Sequence, residues 1–356
     1  MELDLTQRQQ NILLAIVMDY ISTAEPVGSR TIAKKYDLNL SPATIRNDMS
    51  DLEELGLLKQ PHSSAGRIPS DLGYRKFVDY LMGKHELAQS EKEIIKNIQS
   101  NKASNLEQII EQSARVLSAL SNTVAIIQFP ESNKDFVKHF KILPINEMTF
   151  VIVIVSSTGK VNDYLVKLDS PVSEGFFNYV SEYFNDEIIG TSMNILQKKL
   201  NDLVTGNIEY DKILRSIYNS IKENLSYEKG KIRITGTSNL LKEPEFLEND
   251  KAHSLINFFE GEGESKEFSD VFMEIGSSIN KKPIILIGQE ISITQLQNCS
   301  LIVGSYNVGD TVTGAIGLLG PTRMQYGKSV ATLEEMTKNL SYLLTRIYDI
   351  TGKNLE

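Results

Sequence analysis

Arg46 and Asn47 are adjacent in the run Ser41-Pro42-Ala43-Thr44-Ile45-Arg46-Asn47-Asp48-Met49. Their side chains are the two kinds that pair bidentately with bases, guanidinium with guanine and carboxamide with adenine, each worth about 1–3 kcal/mol of discrimination. Ser41 and Thr44 sit where a helix would begin, a position whose free N–H groups and positive dipole end suit a phosphate oxygen or a base edge. Arg30, Lys34 and Lys59 add cations, and His62, Ser63 and Arg67 belong to a run of small residues able to follow a DNA backbone or enter the minor groove. The chemistry these residues offer is recognition of double-stranded DNA. Catalysis is not expected: His62, His85, His139 and His253 lack metal-ligand spacing, and no nucleophile can be matched with a base. Cys299 stands alone, which rules out an internal disulfide and a thiolate metal cluster. No glycine-rich phosphate loop occurs, so neither a cofactor nor a metal is predicted.

Those residues need a scaffold, and the surrounding sequence supplies one. Ser41 is a natural N-cap and Pro42 suits the first helical turn, where its missing N–H costs no hydrogen bond. Ile45, Met49 and Leu52 fall at i, i+4 and i+7 and form the buried stripe, leaving Ala43, Thr44, Arg46, Asn47 and Ser50 on other faces. Upstream, Ser29 to Tyr36 reads as a short helix with Ile32, Ala33 and Tyr36 inward, and Asp37 to Leu40 as a tight connection. Thr6 can cap a first helix with Ile12, Leu13, Ile16, Val17 and Tyr20 on one face. After Gly56, Leu57 to Gln60 predicts a strand, Pro61 to Gly66 a loop of small residues and Arg67 to Pro69 a return strand. The expectation is a winged helix-turn-helix.

The net charge of −9 is unusual for a DNA-binding chain, and its distribution matters. Residues 1–84 hold ten basic and eleven acidic side chains, while the remainder holds twenty-seven and thirty-five. Phosphate would repel the acidic body, which confines contact to the N-terminal domain and keeps sequence-independent affinity low. The acidic start Met1-Glu2-Leu3-Asp4 does not resemble a secretory signal, and no run approaches the ~20 apolar residues of a membrane span. A cytoplasmic chain with no membrane partner is expected.

A length of 356 residues calls for two or three domains. Tyr74, Phe77, Val78 and Leu81 mark a helix from Ser70 to Met82 that leads out of the first, and residues 84–104 read as a connector with a short helix on Ile94, Ile95 and Ile98. Leu106 to Leu120 is amphipathic, and Thr123 to Phe129 is an apolar strand. Three strands follow, Val137 to Leu143, Thr149 to Ser156 and Val161 to Leu168, with turns at Asn146-Glu147 and Thr158-Gly159. Residues 172–226 switch to helical period. Strands then return at Ile232 to Thr235, Pro283 to Gly288, Ser300 to Tyr306 and Thr311 to Leu319, the last two flanking a turn at Asn307-Val308-Gly309-Asp310. Helices are expected at Ala252 to Glu260, Phe268 to Ser277 and Leu333 to Ile350. Gly320 to Met324 reads as a structural turn. The fold class is α+β and multidomain.

The motif from Ser41 to Met49, with Leu52-Glu53, Gly56-Leu57-Leu58, His62-Ser63-Ser64-Ala65-Gly66-Arg67-Ile68-Pro69 and Gly73-Tyr74-Arg75, resembles the N-terminal signature of the HrcA family, bacterial heat-inducible repressors of chaperone operons. Ser238-Asn239-Leu240-Leu241, Pro244-Glu245-Phe246, Ile287-Gly288-Gln289-Glu290 and Gly320-Pro321-Thr322-Arg323-Met324-Gln325-Tyr326 resemble its C-terminal signatures in the same order. Ser63 and Ser70 stand where the family often has threonine. The resemblance implies a winged domain over 1–83, a GAF-like α/β domain over 105–130 and 228–356, and an inserted dimerisation subdomain over 131–227. It also implies a homodimer on the inverted repeat called CIRCE, with the chaperonin GroEL as partner. The residues leave a metabolite-responsive winged-helix repressor as the alternative.

Overall fold

The computed structural model describes residues 5–63, 65–99, 106–130, 136–157, 161–202, 211, 213–221, 232–247, 249–260, 262–278, 282–308 and 311–352. The expected turns at Thr158-Gly159 and Gly309-Asp310 lie outside the described residues.

The chain opens with helices α1 (Gln7–Thr23), α2 (Ser29–Lys35) and α3 (Pro42–Glu54). Thr6 caps α1 in a capping box with Gln9, which satisfies two end groups of the helix at once. Ile12, Leu13 and Ile16 of α1 meet Ile32 of α2 and Ile45 and Leu52 of α3, all fully buried. Each such side chain removed from water contributes about 1.5–3 kcal/mol, so three short helices hold one another in place. Strands β1 (Leu58–Lys59) and β2 (Ile68–Pro69) pair antiparallel. They are shorter than the sequence predicts. Leu57 is diverted at both backbone groups, its N–H bonding Leu52 O and its carbonyl accepting from Ser70 N. Ser70 then caps α4 (Asp71–Lys76), which continues into a single π-helical turn over Phe77–Leu81, a feature that apolar spacing alone could not distinguish from ordinary helix.

Beyond α5 (Gln89–Lys96) and α6 (Leu106–Ser121), β3 (Val124–Gln128) enters a five-stranded antiparallel sheet. Its other members are β7 (Ile232–Thr235), β8 (Ile284–Ile287), β9 (Cys299–Val308) and β10 (Thr311–Pro321), in the order β7-β3-β10-β9-β8. Every residue of β3 is buried, because both faces of the sheet are covered. Ala125 and Ile127 face the cluster containing α6 and the C-terminal helix Tyr326–Gly352, while Val124 and Ile126 face the helices Asn249–Glu260 and Glu262–Ser277. These last helices begin before the first apolar residue that marks them in the sequence. The result is the helix-sheet-helix body expected of a GAF-like domain.

The body is interrupted. β3 and β7 are hydrogen-bonded neighbours, yet the described residues between 137 and 221 build a separate core. There β4 (Val137–Asn146), β5 (Thr149–Ser156) and β6 (Val161–Lys167) form a meander. Its inner face of Phe140, Ile142, Phe150, Ile152, Ile154, Tyr164 and Val166 packs on α7 (Glu174–Ile188), α8 (Met193–Asp202) and a helical segment at 213–221. Phe140 stacks on Phe184 with ring centroids 4.8 Å apart.

The winged domain is seated on the body. Arg75 bonds Glu290 (Nε to Oε1, 2.9 Å), Asp79 (3.1 Å) and the carbonyl of Ile285 (2.6 Å). Asp71 accepts from Gln289 N at 3.3 Å. Gly288 adopts φ +55° directly under the Asp71 carboxylate, where a Cβ would approach Oδ2 to 2.1 Å. That position requires glycine. Tyr74 and Phe77 pack their rings against Tyr326 at 6.0 and 6.5 Å, so one apolar core runs through both domains.

Candidate nucleic-acid interface

Helix α3 owes its start to Ser41, whose Oγ accepts from Thr44 N at 3.1 Å and lies 2.9 Å from Thr44 Oγ1. The two hydroxyls are therefore engaged in capping, although Ser41 remains exposed and Thr44 half-buried. Ala43, Arg46, Asn47 and Ser50 follow at i, i+3, i+4 and i+7 and are all exposed, so they share one face. Arg46 and Asn47 have no intramolecular partner among the described residues. An exposed face with a free guanidinium and a free carboxamide is equipped to read base edges.

The opposite face is anchored by contacts that apolar periodicity does not predict. Asp48 lies on the buried side, 1 % exposed, and receives Arg8 of α1 through Nε to Oδ2 and a second nitrogen to Oδ1, both 2.9 Å. The carboxylate raises the Arg8 pKa above its ordinary value, chiefly through this hydrogen bond. Asp19, also buried, accepts a single hydrogen bond from Lys35 Nζ and raises its pKa. A carboxylate within an otherwise apolar stripe demands a partner, and that was the available signal: Asp48 falls between Ile45 and Met49.

Arg30 and Lys34 are exposed on α2 and have no acidic partner among the described residues, unlike neighbouring Lys35. Lys59, His62 and Ser63 are exposed on the wing. Its loop is held by Gln60, whose amide nitrogen donates to the carbonyls of Ser63 (3.0 Å) and Ala65 (3.1 Å). Arg67 is placed differently from the outward cation that the sequence leads one to expect. Its backbone exchanges hydrogen bonds of 2.9 Å with Val27, and its half-buried guanidinium lies 2.7 Å from Glu53 of α3. Adjacent Gly66 permits this approach, since a Cβ there would meet Val27 O at 2.4 Å. Arg67 thereby ties the returning wing strand to the recognition helix.

Other candidate chemistry is accounted for structurally. Arg323, in the Gly320 to Met324 turn, is engaged by Glu243 and by Glu245, the latter 2.5 Å from Nε, so it is not a free anion receptor. Among the described residues no group of His, Cys, Asp and Glu is arranged to hold a metal, and no helix is long and apolar enough to cross a membrane.

A capped recognition helix with an exposed polar face, braced by two preceding helices and followed by a wing, defines a winged helix-turn-helix DNA-binding protein. Residues 4–78 match the family described as winged helix-turn-helix transcription repressor, HrcA DNA-binding, and residues 107–330 match the HrcA protein C terminal domain. The chain belongs to the HrcA family of heat-inducible transcription repressors. It is 38 % identical to the heat-inducible transcription repressor HrcA of Carboxydothermus hydrogenoformans over 340 residues, 95 % of this chain and 98 % of the relative. The same repressor of Pelotomaculum thermopropionicum is 37 % identical over 351 residues, covering 98 % and 99 %. In fold the chain is similar to a crystal structure of a hypothetical protein at 2.2 Å resolution, with TM-score 0.65 and 22 % identity over 97 % of this chain and all of that one.

Proposed function

We propose that the chain acts as a cytoplasmic, non-catalytic homodimer that binds a CIRCE-type inverted repeat and represses chaperone operons until heat relieves it. The observation that carries the reading is the exposed pair Arg46 and Asn47, without a partner among the described residues, on a helix locked from behind by Arg8 and Asp48. One such helix reads too few base pairs for genomic selectivity, and a two-fold dimer on a palindrome doubles the site. Arg30, Lys34 and Lys59 serve as phosphate contacts, with His62 and Ser63 at the tip of the wing.

The outer face of the β4-β5-β6 meander supports the dimer. Antiparallel sheets with one packed face ordinarily present polar residues on the other. Here the cross-strand rows are Leu143-Val151-Leu165, Lys141-Val153-Asp163 and His139-Val155-Val161, with Leu143, Leu165 and Val161 about half exposed. A two-fold axis along β5 lays β4 of one copy over β6 of the other, bringing Lys141 of each to Asp163 of its partner. Under that axis the patch is self-complementary in charge.

GroEL is the partner that family membership implies, and the heat sensor is the repressor's own fold. Occupation of the chaperonin by other clients lowers the population of competent dimer, and a large unfolding enthalpy makes that loss steep in temperature. A gel shift with a CIRCE duplex, run across temperature with and without GroEL, tests the reading. Binding that declines on heating and is restored by GroEL is expected, whereas binding indifferent to both overturns the mechanism.

A further inference from the structure

Between the winged domain and the body lies a cleft of about 940 Å3, within the size range of small-molecule sites. One wall is the outer side of α1, with Leu14, Met18 and Ile21; the other is formed by Phe77 and Leu81 of the π turn and the start of the C-terminal helix. Met18 shows what this wall is like. Ile12, Leu13, Ile16 and Val17 of the same helix are fully buried, while Met18 keeps 49 % exposure on a surface that no part of the described chain fills. Methionine and leucine side chains adapt to an aliphatic occupant without imposing a rigid shape.

The charged side chains of the lining are of one sign. Lys84 and Lys328 line the cleft beside the neutral Asn11, Ser22, Tyr36 and Gln325 and beside His85, and among the described residues no carboxylate does, in a chain whose net charge is −9. Lys328 is held 3.0 Å from Glu91 outside the cleft, and Lys84 has no acidic partner among the described residues. An apolar body with a single anionic head satisfies both parts of this lining, because the chain would bury hydrocarbon against Leu14 and Leu81 while the head stays near Lys84 in water.

We propose that the cleft binds an aliphatic monocarboxylate. Its walls come from two domains, so an occupant bridges them and fixes the seat of the winged domain on the body, favouring by mass action whichever arrangement binds it better. The site is separate from the recognition helix, and its occupancy is measured without DNA, so it stands or falls independently of operator binding.

Calorimetric titration of the full DNA-free chain with decanoate, below its aggregation threshold, is the test. Saturable binding of one decanoate per chain is expected, with decanol and decyltrimethylammonium several-fold weaker, the scale of one exposed ion pair. Met18→Glu, which places a carboxylate on the aliphatic wall, and Lys84→Glu, at an exposed position, should each weaken decanoate at least tenfold while leaving the circular dichroism spectrum unchanged. Absence of saturation, equal binding of decanol, or decanoate binding that survives Lys84→Glu would each overturn the assignment.

Discussion

Arg8 and Asp48, forty residues apart in sequence, are joined by two hydrogen bonds of 2.9 Å that fasten the back of the recognition helix to α1. The arginine is about half exposed and the carboxylate almost wholly buried, so the pair is asymmetric. Removing Arg8 strands a buried charge, whereas removing both partners strands nothing. Arg8→Met is therefore expected to lower the Tm of the unit that shares this core by roughly 3 °C, and Arg8→Met with Asp48→Leu to recover most of that loss. Calorimetry on the two variants decides it. A double variant less stable than the single would mean that Asp48 has no need of its partner.

Arg46 and Asn47 should behave in the opposite way, because neither side chain has a partner among the described residues. Arg46→Ala and Asn47→Ala are expected to leave Tm unchanged and to remove about 1–3 kcal/mol of discrimination each at one base pair of the half-site. Lys34→Ala and Lys59→Ala should weaken all sequences alike and reduce the salt slope by about 1. Competition gel shifts with half-site variants across salt concentration distinguish the two patterns, and native selectivity in the Arg46/Asn47 double variant would remove both residues from readout.

Much of this architecture could be read from residue pattern because local and long-range demands agree. Ser41 caps α3 and Pro42 opens it, as their types suggest, and Ile45, Met49 and Leu52 form the one apolar stripe along which it is buried. Strand β3 was visible as an unbroken apolar run since both its faces are covered. The pairing of β3 with β7 across the intervening core was not, because register between distant segments leaves no local trace. The same holds for ion pairs. Arg67 has the composition of a phosphate contact, and only the three-dimensional approach of Glu53 shows where its guanidinium is engaged.

That engagement makes Arg67 testable by charge exchange. If its role is to hold the wing against α3, Arg67→Glu should weaken operator binding roughly tenfold or more by loosening the wing, and adding Glu53→Arg should restore most of it. Glu53→Arg alone is the control: a general gain of positive charge on α3 would raise affinity there as much as in the exchanged pair, whereas re-formed pairing restores it only in the exchange. Filter binding of the three variants at matched salt is the measurement, and failure of the exchanged pair to recover affinity would return Arg67 to the DNA surface.

The outer face of the meander makes a prediction of its own. Val153 sits at its centre between Lys141 and Asp163, so Val153→Glu should give monomers by analytical ultracentrifugation while the inner core, anchored by Phe150 and Ile154, remains folded. Lys141→Asp should weaken the dimer by juxtaposing like charges, and Lys141→Asp with Asp163→Lys should restore it. An unaltered dimer in Val153→Glu would place the interface elsewhere.

Cys299 offers a reporter for the heat response. Burial at the start of β9 pushes its thiol up to about 12, and the thiolate is the form that reacts. In the folded chain at pH 8 the thiol is buried and overwhelmingly protonated, whereas about one molecule in four carries the thiolate once the chain opens and the ordinary value near 8.5 returns. The sign follows: the neutral thiol is the form the folded body favours, so its contribution is complete below pH 8.5 and is lost as pH rises toward 12. Alkylation at pH 8 should accordingly be negligible in the cold and rise together with the loss of operator binding on heating, if opening of the body is what switches the repressor. Operator release at temperatures where Cys299 is still protected would instead locate the thermal switch in the winged domain or the dimer contact.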